Sequence, residues 1–274
     1  MMARVRPKLA VFKFASCDGC QLTLLDAEDH LLEVAGQVDI CYFLEATSRV
    51  VDGPYDLALV EGSITTAHDA ARIREVRRNA RFLITLGACA TAGGIQSLRN
   101  WGNLPEFLQA VYARPEYIQT LATSTAIAAH VSVDFELRGC PINKAQLLDV
   151  LRAFLADRRP TVPKHSVCLD CKRHGTVCIM VAQGVPCMGP ITQTGCGALC
   201  PSYDRGCYGC YGPCEQSQGE AWGRSLVRSG QPVPTVLHQL RSFNAGAEDW
   251  RQAGDSLDNC ASTAGPARTE EPRS

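Results

Sequence analysis

Along the first 155 or so positions the apolar residues keep two alternating rhythms. Short, nearly continuous runs at Lys8 to Phe14, Val38 to Leu44, Tyr55 to Val60, Phe82 to Leu86 and His130 to Leu137 have the length and side-chain types of strands buried on both faces. Between them lie amphipathic stretches that predict helices over about Gln21 to Val34 and Ala67 to Asn79. A further helix is marked by Leu147, Val150, Leu151, Phe154 and Leu155 at i, i+3, i+4, i+7 and i+8, and it stops at Asp157-Arg158-Arg159-Pro160. Strand and helix in alternation predict an α/β fold with a doubly wound parallel sheet, in a first domain over residues 1–160.

Beyond Val162 the periodicity gives way to cysteine, glycine and proline. The chain has 15 cysteines among 274 residues, and nine of them, Cys168 to Cys214, fall within a window of 47. Such a window lacks the large aliphatic side chains of an ordinary core, so a second region over 161–243, organised around metal, is expected. From 244 to 274 the residues are small and polar, which predicts a disordered tail.

In a parallel sheet, ligands bind beyond the carboxyl ends of the strands. Three predicted strands lead there into cysteine: Phe14 into Ser16-Cys17-Asp18-Gly19-Cys20, Leu86 into Gly87-Ala88-Cys89, and Leu137 into Arg138-Gly139-Cys140-Pro141. The three loops can converge on one crevice, which makes Cys17, Cys20, Cys89 and Cys140 candidate ligands of a four-iron four-sulfur cluster. Gly19, Gly87, Gly93, Gly94 and Gly139 would let backbone N–H groups approach the cluster sulfurs, or serve only as turn residues. A CxxC at a strand–helix turn also fits a thiol redox pair of Cys17 and Cys20, a reading that leaves the later cysteines unexplained. Glu61, in Glu61-Gly62-Ser63 at a fourth strand end, would relay protons near the cluster or tie down its own loop.

The dense window divides into Cys168, Cys171, Cys178 and Cys187, and then Cys196, Cys200, Cys207 and Cys210. Thiolates this close, with Pro201 after Cys200, suit two more iron–sulfur clusters. Two Cys₄ zinc sites in a redox-inactive binding module are the competitor; the irregular gaps of six, eight and three residues count against them. Of the remaining cysteines, Cys41 falls in a strand and reads as core, Cys260 lies in the tail, and Cys214 competes with Cys200 as a ligand. His165 and His174, beside the first set, read as neighbours of it.

A formal net charge of −1 gives no broad attraction to nucleic acid or anionic lipid. With no run of 18 apolar residues, direct membrane insertion is not expected, and the start MMARVRPKLAVFKF leaves no room for a signal peptide or twin-arginine leader. Cytoplasmic residence follows, and there thiols seldom pair as disulfides.

With these residues in view, the chain resembles the small, electron-transferring subunit of nickel–iron hydrogenases over roughly Lys8 to Cys210. The resemblance is carried by SCDGCQL at Ser16, VEGSI at Val60, GACATAGGI at Gly87, RGCPI at Arg138, CLDCKRHGTVC at Cys168 and PCMGPITQTGCGALCPSYDRGCYGCYGP at Pro186. It looks most like the cytoplasmic, bidirectional enzymes of the NAD(P)-linked or sulfhydrogenase delta type. The resemblance implies a flavodoxin-like domain with a proximal cluster on Cys17, Cys20, Cys89 and Cys140. It implies a smaller, irregular C-terminal domain with a distal cluster on Cys168, Cys171, Cys178 and Cys187 and a medial one on Cys196, Cys200, Cys207 and Cys210, all three being 4Fe-4S. Exported relatives place a histidine where Cys168 stands and have three medial cysteines, so Cys200 departs from their pattern. The implied partners are a large subunit that holds the NiFe centre, a flavin and NAD(P)-binding module, and additional iron–sulfur subunits in a heteromeric complex. The implied reaction is reversible oxidation of hydrogen, with no catalytic centre on this chain. The cluster subunits of complex I and of membrane-bound hydrogenases are the nearest alternative, but they resemble the first domain alone.

Overall fold

The computed structural model of the protein describes residues 6–28 and 36–263. Five strands, β1 (Lys8–Lys13), β2 (Asp39–Phe43), β3 (Tyr55–Glu61), β4 (Ala80–Leu86) and β5 (Phe135–Leu137), form one parallel sheet in the order β2-β1-β3-β4-β5. This is the flavodoxin-like order, and it follows from strands that carry apolar residues at both parities. In β1, Leu9 and Val11 face one core and Ala10 and Phe12 the other; in β3, Leu57 and Leu59 oppose Ala58 and Val60 in the same way. Parallel register, with Leu9 opposite Leu57 and Leu57 opposite Phe82, keeps each face continuous across the strands.

Helices cover both faces. α1 (Gly19–Leu25) and a later helix, Lys144–Leu155, pack Leu24, Leu147, Val150 and Leu151 on one face, and α2 (Ala67–Arg78) packs Ile73 and Val76 on the other. α2 begins where the Thr66 hydroxyl accepts the Asp69 N–H at 3.0 Å, with Asp69 in its first turn and Arg77 and Arg78 in its last. A short helix, α3 (Gly87–Ala92), and α4 (Leu104–Val111) intervene before Lys144–Leu155, here α5. Residues 29–34 of the helix expected over Gln21 to Val34 lie outside the described residues.

The strand expected from His130 is shorter than its apolar pattern. Only Phe135–Leu137 is β-structured, because Asp134 ends the ladder: its N–H donates to the Leu83 carbonyl (2.9 Å), while its carboxylate accepts the Leu83 N–H (2.7 Å) and pairs with Arg77 (2.6 Å).

The second region corrects two expectations. It is built from α6 (Val167–Arg173), α7 (Ile179–Gln183), α8 (Gly219–Arg228), α9 (Val233–Leu240) and α10 (Glu248–Thr263), and it has an apolar core of its own. Val167, Met188 and Ile191 from the cysteine window meet Trp222, Leu226, Val236, Leu240, Trp250 and Leu257 there. The expected disordered tail of 244–274 is therefore helical as far as residue 263, since Trp250, Ala253 and Leu257 at i, i+3 and i+7 give it a buried face. The second region does not end at 243; residues 264–274 lie outside the described part.

Trp250 is fully buried against Met188 and Gly209. Trp250→Ala is expected to destabilise the protein by about 3–5 kcal/mol, read as a lower denaturation midpoint. An unchanged midpoint would show that α10 contributes nothing to the fold.

Candidate metal centres at the sheet edge and in the cysteine window

Parallel strands that end in register bring their following loops to one edge, and four loops meet at the carboxyl edge of β1, β3, β4 and β5. Behind β1 the chain turns through Asp18 in the left-handed conformation (φ 65°), with its carboxylate held by Lys13 at 2.6 Å and by the Ser16 hydroxyl at 3.2 Å. That turn sends Cys17 outward, where it is exposed, and starts α1 with the buried Cys20. Behind β4, Gly87 (φ +80°) lies against Cys20: a Cβ there would stand 2.4 Å from the Cys20 Sγ. The Ala88 N–H donates to the Gly139 carbonyl at 2.8 Å, which joins the Cys89 loop to the Cys140 loop. Gly94 (φ +63°) leaves similar room at Cys89, where a Cβ would lie 2.5 Å from the thiol sulfur. The loops thus bring Cys17, Cys20, Cys89 and Cys140 together.

Burial favours the protonated form of Cys20, Cys89 and Cys140. It is the leading cause at Cys20, raised well beyond the ordinary thiol range, at Cys89, raised to about 11, and at Cys140, also raised; the neighbouring thiols push in the same direction. A cationic metal reverses this, because ligation releases the thiol protons and supplies the countercharge. Four soft sulfur donors, two of them seated where a methyl group at Gly87 or Gly94 would displace them, fit an iron–sulfur cluster.

Glu61, only 2% exposed, is the capping carboxylate of α1. Its oxygens accept the backbone N–H groups of Cys20 (3.0 Å) and Gln21 (3.2 Å) and the Gln21 side-chain amide (2.9 Å). Asp18 makes no such bond, so the neighbouring strand caps the helix that bears Cys20. Burial raises the Glu61 pKa and the three donated hydrogen bonds oppose that rise. Gln21 was not legible as its partner, since 40 residues separate them.

In the second region α6 carries Cys168 and Cys171, and Cys178 stands at the start of α7. Cys187 follows, and its sulfur accepts the N–H groups of Cys207 (3.1 Å) and Gly189 (3.4 Å). Gly189 is packed beside both Cys187 and Cys168, so that a Cβ there would be 3.3 and 3.5 Å from their sulfurs. Burial leads the upward shift of Cys168 (to about 11), Cys171, Cys200, Cys207 and Cys210 (to about 12). Cys196 acts on Cys200 and on Cys210, whereas Cys207 feels Cys187 and Cys210, which draws Cys196, Cys200, Cys207 and Cys210 into one neighbourhood beside the Cys187 set. Cys214 stands apart: its thiol faces the Pro190 carbonyl at 3.8 Å, and the charged side chain acting on it is Asp249.

His165 pairs with Asp170 at 3.3 Å, and the Thr194 hydroxyl donates to the same carboxylate, so this carboxylate ties α6 to the loop that precedes Cys196. His174 ends α6 as its C-cap. Cys41 is fully buried in β2, as expected of a core residue. Among the described residues no disulfide forms, no three His, Cys, Asp or Glu side chains are drawn together tightly enough to share a single ion, and no helix is long and apolar enough to cross a membrane.

The family model of the NADH ubiquinone oxidoreductase 20 Kd subunit matches residues 17–154, a span that takes in all four sheet-edge cysteines. The sulfhydrogenase 2 subunit delta of Pyrococcus furiosus is 37% identical over 236 residues, 86% of this chain and 98% of its own length. The chain belongs to this family, as a hydrogenase small subunit. A chain of the F420-non-reducing hydrogenase vhu of Methanocaldococcus jannaschii is 31% identical, with the match covering 89% of this chain and 95% of that one. Among solved structures, a chain of the NAD+-reducing [NiFe]-hydrogenase in the H2-reduced state superposes with a TM-score of 0.54 at 29% identity, over 58% of this subunit and 96% of that chain.

Two of these likenesses reach far past residue 154, so the hydrogenase subunit's kinship extends into the cysteine window, and a complex I-like reading accounts for the first region alone. The subunit belongs to an oxidoreductase that acts on hydrogen, as the motifs at Ser16, Val60, Gly87 and Arg138 predict.

Glu61→Ala would leave three buried donors unpaired at the start of α1, at about 1–3 kcal/mol each. We expect a lower denaturation midpoint and faster amide hydrogen exchange at Cys20 and Gln21; native exchange at both would refute the capping role.

Proposed function

We propose that this subunit conducts electrons between a nickel–iron centre on a large partner subunit and a flavin and NAD(P)-binding module with further iron–sulfur subunits, in the cytoplasm, through three 4Fe-4S clusters. Cys17, Cys20, Cys89 and Cys140 hold the proximal cluster, Cys196, Cys200, Cys207 and Cys210 the medial, and Cys168, Cys171, Cys178 and Cys187 the distal. The observation that carries this reading is the meeting of three cysteine-bearing loops at one sheet edge, where burial raises Cys20, Cys89 and Cys140 and glycines at 87 and 94 seat the Cys20 and Cys89 sulfurs against backbone. Bound there, the clusters would supply one-electron chemistry at low potential.

The chain's own residues set the conditions for that chemistry. Glu61 fixes α1 and with it Cys20; Gly87 and Gly94 leave the Cys20 and Cys89 sulfurs their places; the N–H groups of Cys207 and Gly189 stabilise negative charge on the Cys187 sulfur. Cys200 is the fourth medial ligand, supported by its proximity to Cys196, while Cys214 points at a carbonyl. One relative is named for reducing NAD+ and another for not reducing F420, which supports a relay whose terminal acceptor is chosen by its partners.

Anaerobically purified complex is expected to contain about twelve irons, with matching acid-labile sulfide, attributable to this chain. Zinc without labile sulfide would overturn the reading. Gly87→Ala, which drives a methyl group into Cys20, is expected to abolish the proximal EPR signal and leave the other two. For the medial site, Cys200→Ser is expected to convert a four-iron signal to a three-iron one, and the same conversion by Cys214→Ser instead would reassign the ligand.

A further inference from the structure

Between the proximal and medial cysteine sets lies one aromatic side chain that neither set uses. Tyr211 is 5% exposed, and its ring is wedged between the loops that bear Cys140 and Cys196. A Cβ on Gly139, next to Cys140, would stand 3.0 Å from the ring's Cζ, and one on Gly195, next to Cys196, would overlap the Cε1 edge at 2.0 Å. Both loops carry glycine at the point of contact, so the ring sits directly on backbone. Tyr211 shares a tight turn with Cys210: the Gly212 N–H donates to the Gly209 carbonyl at 3.0 Å, and both glycines have positive φ (+70° and +77°).

This turn is held on every side. Asn244 donates its side-chain amide to the Gly209 carbonyl (2.9 Å), Arg138 reaches the Pro213 carbonyl (2.9 Å), and the Gln193 N–H donates to the Gly212 carbonyl (2.8 Å). The Asn143 amide donates to the Gly195 carbonyl at 2.9 Å and fixes the other wall of the slot. The surroundings bear out the position: burial first, and then Cys196, Cys210, Cys20 and Cys140, all disfavour ionisation of the phenol, so its oxygen lies near thiols of both sets.

We propose that the Tyr211 ring is the bridge between the proximal and medial sites, a positioning residue that fixes their separation, keeps water out of the gap and provides the packed path an electron follows. The inference rests on the cluster assignment above. In each transfer the proximal site would lose one electron and the medial site would gain it, and Tyr211 itself is neither oxidised nor reduced. Only the ring is required for this, not the hydroxyl.

The test uses the whole hydrogenase complex, purified anaerobically with wild-type subunit, Tyr211→Phe or Tyr211→Leu. Iron and labile sulfide are measured first, and then the rate at which the medial EPR signal grows after a hydrogen jump, together with the magnetic coupling between the two reduced sites. Tyr211→Phe is expected to keep the wild-type rate and coupling. Tyr211→Leu, with its iron retained, is expected to slow the transfer about tenfold and to change the coupling. A Leu variant that transfers as fast as wild type overturns the bridge, and so does a Phe variant as slow as Leu. Should Leu shed iron, Tyr211→Met takes its place, and loss of iron there as well reduces Tyr211 to a structural wedge and sinks the proposal. Wild-type complex lacking iron on this chain would instead sink the cluster assignment.

Discussion

A thiol buried in a protein keeps its proton, and that constraint governs the sheet edge of this subunit. Cys20, Cys89 and Cys140 are raised by burial first, and then by the Glu61 carboxylate and neighbouring thiols. Left as thiols, they would be small apolar groups at the end of a parallel sheet. The positive φ of Gly87 and Gly94, and the clash that a Cβ at either would make with the Cys20 or Cys89 sulfur, show that these places are kept for the thiols. The loop conformations, the capping by Glu61 and the exposure of Cys17 then belong to one arrangement: one thiol buried, two half-buried and one at the surface.

How much of this could be read from sequence differs between the two regions, for physical reasons. Strands such as Leu9 to Phe12 and Leu57 to Val60 must bury both faces, so they announce themselves by composition, and the strand ends then place Cys17, Cys20, Cys89 and Cys140. The His130 run misled because apolar content does not report hydrogen bonding: Asp134 ends the ladder by taking the Leu83 N–H on its side chain. In the second region the cysteines drew attention away from a weaker signal. Trp222, Leu226, Trp250 and Leu257 lie in stretches rich in Glu, Asp, Arg and Ser, and their spacing shows a helical face only when the charges are set aside. Long-range partners such as Gln21 for Glu61, or Thr194 for Asp170, leave no local pattern at all.

The apolar core around Trp222 and Trp250 changes how the cysteine window is understood. A loop-rich segment that wraps metal is stable only with the metal present unless something else holds it. Here the Trp222 indole N–H donates to the Cys187 carbonyl at 2.9 Å, and Trp250 packs beneath Gly209, next to Cys210. The helices after the window therefore grip the backbone beside one thiol from each cysteine set. They form a layer of ordinary hydrophobic packing under the cysteine window, which limits how far its thiols can spread.

The seam between the regions is where the relay is most exposed to error. The family model ends at residue 154, and the NAD+-reducing hydrogenase chain superposes on 58% of this subunit, so the first region is the part shared most widely and the second is joined onto it. Joining two metal-binding regions demands a fixed spacing, because neither region's own fold sets the distance between their sites. The contacts that cross it are polar and directional: Arg138 to the Pro213 carbonyl, Asn143 to the Gly195 carbonyl, with the Tyr211 ring between. Apolar packing alone tolerates sliding by fractions of an ångström, whereas hydrogen bonds to backbone on both sides of a wedged ring do not. A seam built in this way holds Cys140 in register with the turn that bears Cys210.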